Sequence, residues 1–396
     1  MPETIPFHRP HLDQDDRTAI RRVFASGWLT TGKEAEAFER EFAQTLGARC
    51  AIAVSSGTAA LHVAAVLAGW VKPTQEVIVP TLTFTATAGA VLQAGALPVL
   101  ADVDPETMNL SPQTVAGRRT SRTAGVLPVH YAGNPSGLTD LLEDARNAVP
   151  RYHIVEDAAH AYPAAILDQP IGGPALGGFA TCFSFYPTKP LTTGEGGMLI
   201  LADSGLEKRA RRLVYHGIAA HEAQHHRTGL DHYLVTEEGW KYNLPDVLAA
   251  LGRAQLMKAD VLAGRREEIA KRYRARFADA VGAGLLRVPR VDPSVKSAWH
   301  LYVLRFNLER LREEWTRDRL AATLLERGIQ VSLRYRPLHQ QPFWRARLPE
   351  AKWSTFPHAD RIAASSLCLP IWPAMTESEV DRVADEVIRL VKGAVR

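Results

Sequence analysis

Between Cys50 and about Leu201 the chain repeats one pattern, a short β-branched and apolar run followed by a stretch with helical spacing. CAIAV leads into TAALHVAAVLAG, and EVIVP into a helical stretch around Phe84 to Ala94. LPVLADV leads into SPQTVAG, AGVLPVHY into a helix from about Leu138 to Ala148, and YHIVED closes the series. Parallel strands need a crossover between them, usually a helix. The alternation therefore predicts an α/β domain around a mainly parallel sheet flanked by helices.

Past Ile154 the pattern changes. IGG, LGGFATCFSF and GGMLILA follow one another too closely for crossover helices, which predicts an antiparallel or irregular portion of the sheet. From Pro245 to about Val281 apolar residues at helical spacing alternate with an Arg/Lys/Glu face, as in one long helix or two abutting ones linking two domains. SAWHLYVLRFNL reads as a strand, WTRDRLAATLLERGI as a helix ending at Gly328, and VSLRYRPL with a helix from about Glu377 to Val391 completes a smaller α+β unit. The expected division is a large domain over 1–255 and a small one over 256–396, in keeping with about 100–200 residues per domain.

Composition narrows the function classes. With 46% hydrophobic and 23% charged residues the chain has ample material for packed cores. The 47 Lys and Arg are scattered among 43 Asp and Glu, so no basic stripe points to nucleic acid. Cys50, Cys182 and Cys368 are too few for a disulfide framework and lack zinc-site spacing, which fits a reducing compartment and no metal. MPETIPFHRPHLDQDD does not read as a leader, and no segment approaches the roughly 18 apolar residues of a membrane span. The expected location is cytoplasmic, with no membrane partner.

Three features carry chemistry. In FSFYPTKPLTTGEGG, Lys189 stands just beyond an apolar run and ahead of a glycine-rich turn, where packed backbone can hold an imine-forming amine. In IVEDAAH, Asp157 ends a run that reads as a buried strand, where a carboxylate can keep a pyridine nitrogen protonated so that the ring accepts electrons. In AVSSGTAALH, small residues mark a strand turning into a helix whose free N–H groups and hydroxyls can hold a phosphate. Singly, each has an ordinary reading as loop lysine, strand-end cap or N-cap. Jointly they describe a site for pyridoxal 5′-phosphate (PLP).

The chain resembles the DegT/StrS family of PLP-dependent sugar aminotransferases, which have the fold type I architecture. The resemblance runs through SGWLTTG, VSSGTAALH, PTLTFTATA, ADVDPETMNL, PVHYAGNP, EDAAHA, SFYPTK, GEGG, KYNLPDVLAALG, AWHLYV and SLCLPIWPAMT. It implies a seven-stranded-type sheet with a smaller C-terminal domain. It also implies that Lys189 is the Schiff-base lysine and proton shuttle, that Asp157 pairs with the ring nitrogen, and that Phe84 and His160 pack at the ring. Gly57, Thr58 and Ser184 match the phosphate cradle, and Asn243 an asparagine that reaches the phosphate from a neighbouring subunit, hence a homodimer with shared active sites. As ordinary residues, Phe84 is core, His160 a buried histidine and Asn243 a helix cap.

His216, Tyr242, Arg334 and His339 are expected to face the substrate. Many relatives have histidine where this chain has Arg334, and a guanidinium there suits the carboxylate of an amino donor or a diphosphate, unless it is merely solvated. HEAQH, His221 to His225, matches a zinc-protease pattern, but HGIAAHEAQHHRTGLDHY lacks an apolar face and a third ligand, so a polar loop is expected.

The resemblance implies amine transfer from L-glutamate, leaving 2-oxoglutarate, to a nucleotide-linked keto sugar, most like members that aminate C4 of UDP-4-keto sugars, as in lipopolysaccharide precursors. Three alternatives stand beside it. Family members that dehydrate sugars replace the lysine by histidine, against which Lys189 argues. The others are a 3-keto sugar or cyclic-ketone aminotransferase and a PLP-binding regulator.

Overall fold

The computed structural model describes residues 4–148, 151–219, 233–348 and 355–396. Its main sheet has the strand order β1-β9-β8-β5-β4-β2-β3. The strands are β1 (Ala51–Val54), β2 (Glu76–Pro80), β3 (Leu97–Ala101), β4 (Thr123–Val126), β5 (His153–Asp157), β8 (Ala180–Ser184) and β9 (Gly197–Leu201). All neighbours are parallel except β9, which runs antiparallel to both β1 and β8. The expected antiparallel portion is thus the single strand β9. IGG forms no strand; a hairpin just before it, β6 (Ala165–Ile166) and β7 (Gln169–Pro170), pairs with β11 (Val295–Lys296) in a separate small sheet.

Residue alternation shows how the sheet is covered. Ile52, Val54, Val77 and Val79 face one core with helix α3 (Gly57–Leu67), whereas Ala51, Ala53, Ile78 and Val99 face another with α2 (Lys33–Leu46) and α6 (Leu138–Asn147). Strands buried on both faces are what helical crossovers produce. Helix α3 is buried almost all round, as its uniformly apolar sequence requires. No side chain of α2's own caps it, because Gly32 precedes it; buried Asp246 does so from far along the chain, accepting from Gly32 N–H at 2.7 Å and Ala35 N–H at 3.0 Å.

The stretch from Pro245 onward forms two abutting helices, Asp246–Met257 and Ala259–Arg276, broken at Lys258, which pairs with Asp13 at 2.7 Å and Asp16 at 2.6 Å. A third core gathers Ile5, Tyr273 and Phe277 with β12 (Tyr302–Phe306), β13 (Ser366–Leu369) and the helix Glu377–Ala394. The small sheet is shared between cores, since Tyr302 and Leu304 face this one while Leu301 and Val303 face the α3 side. VSLRYRPL contributes little to the small unit's sheet. It makes only a bridge from Ser332 to Cys368, then Pro337 lacks a ladder donor and the chain turns to bond Thr81 through Leu338 N–H.

Candidate active site

The site sits where β5 and β8 end beside the start of α3. Asp157 is the last residue of β5 and is buried. Its carboxylate accepts from the Thr87 hydroxyl at 2.8 Å and the Ala159 N–H at 3.1 Å, and Thr87 is itself within 2.7 Å of Thr83. Burial pushes its pKa up, and the bonds from Thr87 and Ala159 and the charge of Lys189 oppose that. Lys189 lies in the turn between β8 and β9, its N–H bonded to Tyr186 O at 2.8 Å. Burial lowers its amine to about 7, partly offset by Asp157, with Arg334 lowering it further. Lysine and carboxylate thus act on each other's charge, and the amine is poised to be neutral near neutral pH.

The stretch expected to hold a phosphate is built by close approach. Ser56 caps α3, its hydroxyl accepting from Ala59 N–H at 3.1 Å, so the N–H groups of Gly57 and Thr58 lie in the open first turn. A Cβ on Gly57 would lie 2.7 Å from Ser184 Cβ, and one on Gly197 would lie 2.6 Å from the Ser56 carbonyl carbon. These glycines let α3, β8 and β9 meet, which brings Ser184 to the helix start. Among the described residues the Ser184 and Thr58 hydroxyls make no hydrogen bond, and the buried Thr188 hydroxyl beside Lys189 has no partner. These groups fit the phosphate, the ring nitrogen and the aldehyde of PLP. Gly57→Ala should lower the unfolding free energy by about 1–3 kcal/mol and weaken PLP binding. Equilibrium denaturation and cofactor titration check both; wild-type values would mean that Ser184 yields freely.

His160 is buried and lies beside His300, ring centres 4.3 Å apart and the planes tilted by 41°. Burial holds its pKa well below the usual histidine range, with Lys189 and Arg334 adding to the effect. Its Nδ1 accepts the Ala132 N–H at 3.3 Å, so the neutral ring carries its proton on Nε2, 3.2 Å from the Tyr335 hydroxyl. Phe84 precedes α4 (Thr85–Ala94), is 55% exposed and lies 5.8 Å from the Tyr335 ring; this exposure removes the core reading. Gly133, at φ 88, threads between His160 and His300, where a Cβ would lie 2.8 Å from His160 O. PVHYAGNP, EDAAHA and AWHLYV therefore meet at one wall.

The other expected residues are dispersed. Asn243 bridges its own Val54 and donates to the Thr31 hydroxyl at 2.6 Å. Tyr242 bonds His62 at 3.2 Å and stacks with Trp240 over α3. His216 is exposed, with its N–H bonded to Trp240 O at 3.0 Å. His339 has both ring nitrogens engaged, by Thr81 at 2.7 Å and Asp360 at 2.8 Å, which ties its loop to β2. Arg334 is half-buried over the Phe7 ring at 5.2 Å. HEAQH lies outside the described residues.

Sequence reasoning missed Thr87, His300, Tyr335 and His8. His8 is half-buried, its pKa lowered to about 4 chiefly by desolvation, and it donates to Pro187 O at 2.8 Å, two residues before Lys189. Thr87 was findable, because it stands three residues after Phe84 on the same helix start.

Comparison with known proteins gives one answer. The model of the DegT/DnrJ/EryC1/StrS aminotransferase family matches residues 10–388. The spore coat polysaccharide biosynthesis protein SpsC of Bacillus subtilis is 37% identical, over 98% of each chain. The structure of DesV from S. venezuelae superposes with a TM-score of 0.85 at 32% identity, covering 98% of this chain and 99% of that one. A structure described as a sugar aminotransferase, Spr1654 from Streptococcus pneumoniae in its PLP form, superposes at 0.88 with 26% identity, covering 99% and 100%. By the family model over residues 10–388 and by these relatives, the chain belongs to the DegT/DnrJ/EryC1/StrS aminotransferase family and is a PLP-dependent sugar aminotransferase.

Proposed function

We propose that this enzyme moves the amine of L-glutamate to a nucleotide-linked keto sugar, at C4 of a UDP-4-keto sugar, for polysaccharide biosynthesis. The observation that carries this reading is the buried Asp157 carboxylate at the end of β5, held by Thr87 and the Ala159 N–H, with the Lys189 amine of the β8–β9 turn close enough for each to act on the other's charge. Bound PLP supplies the electron sink. Lys189 Nζ takes the proton from the donor carbon and returns it to the acceptor carbon. Asp157 would hold the ring nitrogen protonated, Phe84 would stack on the ring, and His160 would pack beside it near its phenolic oxygen. Gly57, Thr58 and Ser184 hold the phosphate, with Asn243 reaching it from a second copy in a homodimer. His216, Tyr242, Arg334 and His339 serve the substrate side. The large unit over 1–255 carries the cofactor and 256–396 forms the small one.

The test is the visible spectrum of the PLP-loaded protein, first with L-glutamate and then with a panel of 4-keto and 3-keto nucleotide sugars. Loss of the lysine-bound cofactor band with glutamate and its return with one UDP-4-keto sugar is the expected result. A band unmoved by any amino donor would sink the reading, and return with only a cyclic ketone would replace the acceptor.

The amine's environment adds a pH prediction. Because the neutral amine is the nucleophile, the rate of PLP uptake by the apoprotein should rise with pH through about 7 and level off above it. Stopped-flow absorbance from pH 5.5 to 10 reads this. A rate still climbing toward the ordinary lysine value of 10.5 would mean a solvated amine.

A further inference from the structure

Arg334 is a cation without a counter-ion at the edge of the site. Its backbone is pinned on both sides, since its carbonyl accepts the Tyr131 hydroxyl and the next residue, Tyr335, places its own hydroxyl 3.2 Å from His160 Nε2. Its side chain lies 5.2 Å over the Phe7 ring, and Nε donates to the Ser332 hydroxyl at 3.2 Å. The Tyr335 phenol is close enough to feel its charge, as are Lys189, His160 and His300. No carboxylate pairs with it among the described residues. A partly desolvated guanidinium left in that state is costly, and the cost is offset only when an anion arrives.

Two anions visit the proposed site. The diphosphate of a nucleotide sugar hangs from the anomeric carbon, across the ring from a C4 ketone and several bonds from the reacting atom. An amino acid carries its α-carboxylate on the reacting carbon itself. A cation whose backbone is tied to Tyr131, and whose neighbour Tyr335 lies against both His160 and Phe84, is placed for the nearer group, and its planar fork matches a carboxylate in two parallel hydrogen bonds. We infer that Arg334 anchors the α-carboxylate of the amino donor, so that it serves the amino-acid half of the reaction more than the sugar half. The inference rests on the proposed amino-acid donor.

The two halves are measured separately on wild type, Arg334→Gln and Arg334→Lys. Glutamate is added to the PLP form and keto sugar to the aminated form, each followed by absorbance. For Arg334→Gln the apparent Kd for glutamate should rise roughly 10- to 100-fold, and at least about tenfold more than that for the keto sugar. Arg334→Lys should recover only part of the loss, because it restores charge without the fork. Glutarate, which has both carboxylates and no amine, gives a reading free of turnover, and calorimetry should show the same loss in its Kd. A larger loss in the sugar half would assign the guanidinium to the diphosphate, and no loss in either half would make it a solvated residue; both overturn the inference. A wild type that reacts with no amino acid fails before any variant is compared, and that outcome strikes the donor reading instead.

Discussion

Lys189→Ala should lose transamination by roughly 10⁴-fold or more while keeping the fold. The side chain sits in a turn whose geometry is set by backbone bonds, Phe185 N–H to Gly196 O at 2.8 Å and Thr193 N–H to Phe185 O at 3.0 Å, and among the described residues the amine makes no hydrogen bond. The variant also carries a stability signature that an unrelated loss of activity would lack. The folded pKa of about 7 lies below the ordinary 10.5, so between these values the unfolded chain holds a proton that the folded chain does not. Wild-type stability therefore rises with pH across that window, and the penalty for burying the charged amine is present in full only below about 7. The Lys189→Ala apoprotein should melt above the wild-type apoprotein at pH 6, with the gap narrowing as pH rises toward 10. Calorimetry of the two apoproteins reads the difference; a gap independent of pH would show that the lysine is solvated, and normal turnover by the variant would end the mechanism.

The fold was legible where hydrophobic period and chain spacing speak together. The helices Thr85–Ala94 and Leu138–Asn147 and the strands of the parallel series lie where alternation puts them, because each element must bury its own apolar face. What the spacing leaves open is decided by pairing over long sequence distance. VSLRYRPL has strand composition, yet its partner offers one bridge at Cys368 before Pro337 ends the pairing. β9 runs antiparallel as the close spacing of GGMLILA predicts, but its insertion between β1 and β8 is an order that no local pattern records. Helices α1 (Gln14–Ser26) and α2 went unread, although Asp13 with Asp16 forms a capping box and both helices are amphipathic.

Site residues were legible in a different way. Lys189, Asp157 and the SSGT stretch announce themselves by residue type and by their place at strand ends, which is why the cofactor could be read from them. Most of their supports could not be, since His300 and Tyr335 act through contacts between segments far apart in sequence. Gly133 illustrates the limit. The sequence offers one glycine in a loop, and only the fold shows it packed against the backbones of two histidines on other segments.

Asp157→Asn should cut the glutamate half-reaction by about 10²- to 10³-fold and retain much of the cofactor affinity. Asparagine keeps the size of the side chain and can still accept from Ala159 N–H, while its NH₂ meets Thr87. The Thr83–Thr87 hydroxyl pair can reverse its direction to accept that donor, so the network survives the change. What is lost is the negative charge that would hold the ring nitrogen protonated. The charge is held at a cost, because burial raises the Asp157 pKa above the ordinary carboxylate value of 3.8. The folded apoprotein then binds the proton more tightly than the unfolded chain does. Its stability falls as pH rises from 3.8 through the folded pKa, and the penalty stands in full above that range. Asp157→Asn removes the penalty, so the variant apoprotein should be more stable than wild type at pH 7 and lose that advantage near pH 3.5. Slow turnover in a stabilised protein is the joint result expected of a carboxylate kept for chemistry. An unchanged rate would remove Asp157 from the ring nitrogen, and lower stability at pH 7 would make its charge a structural bond instead.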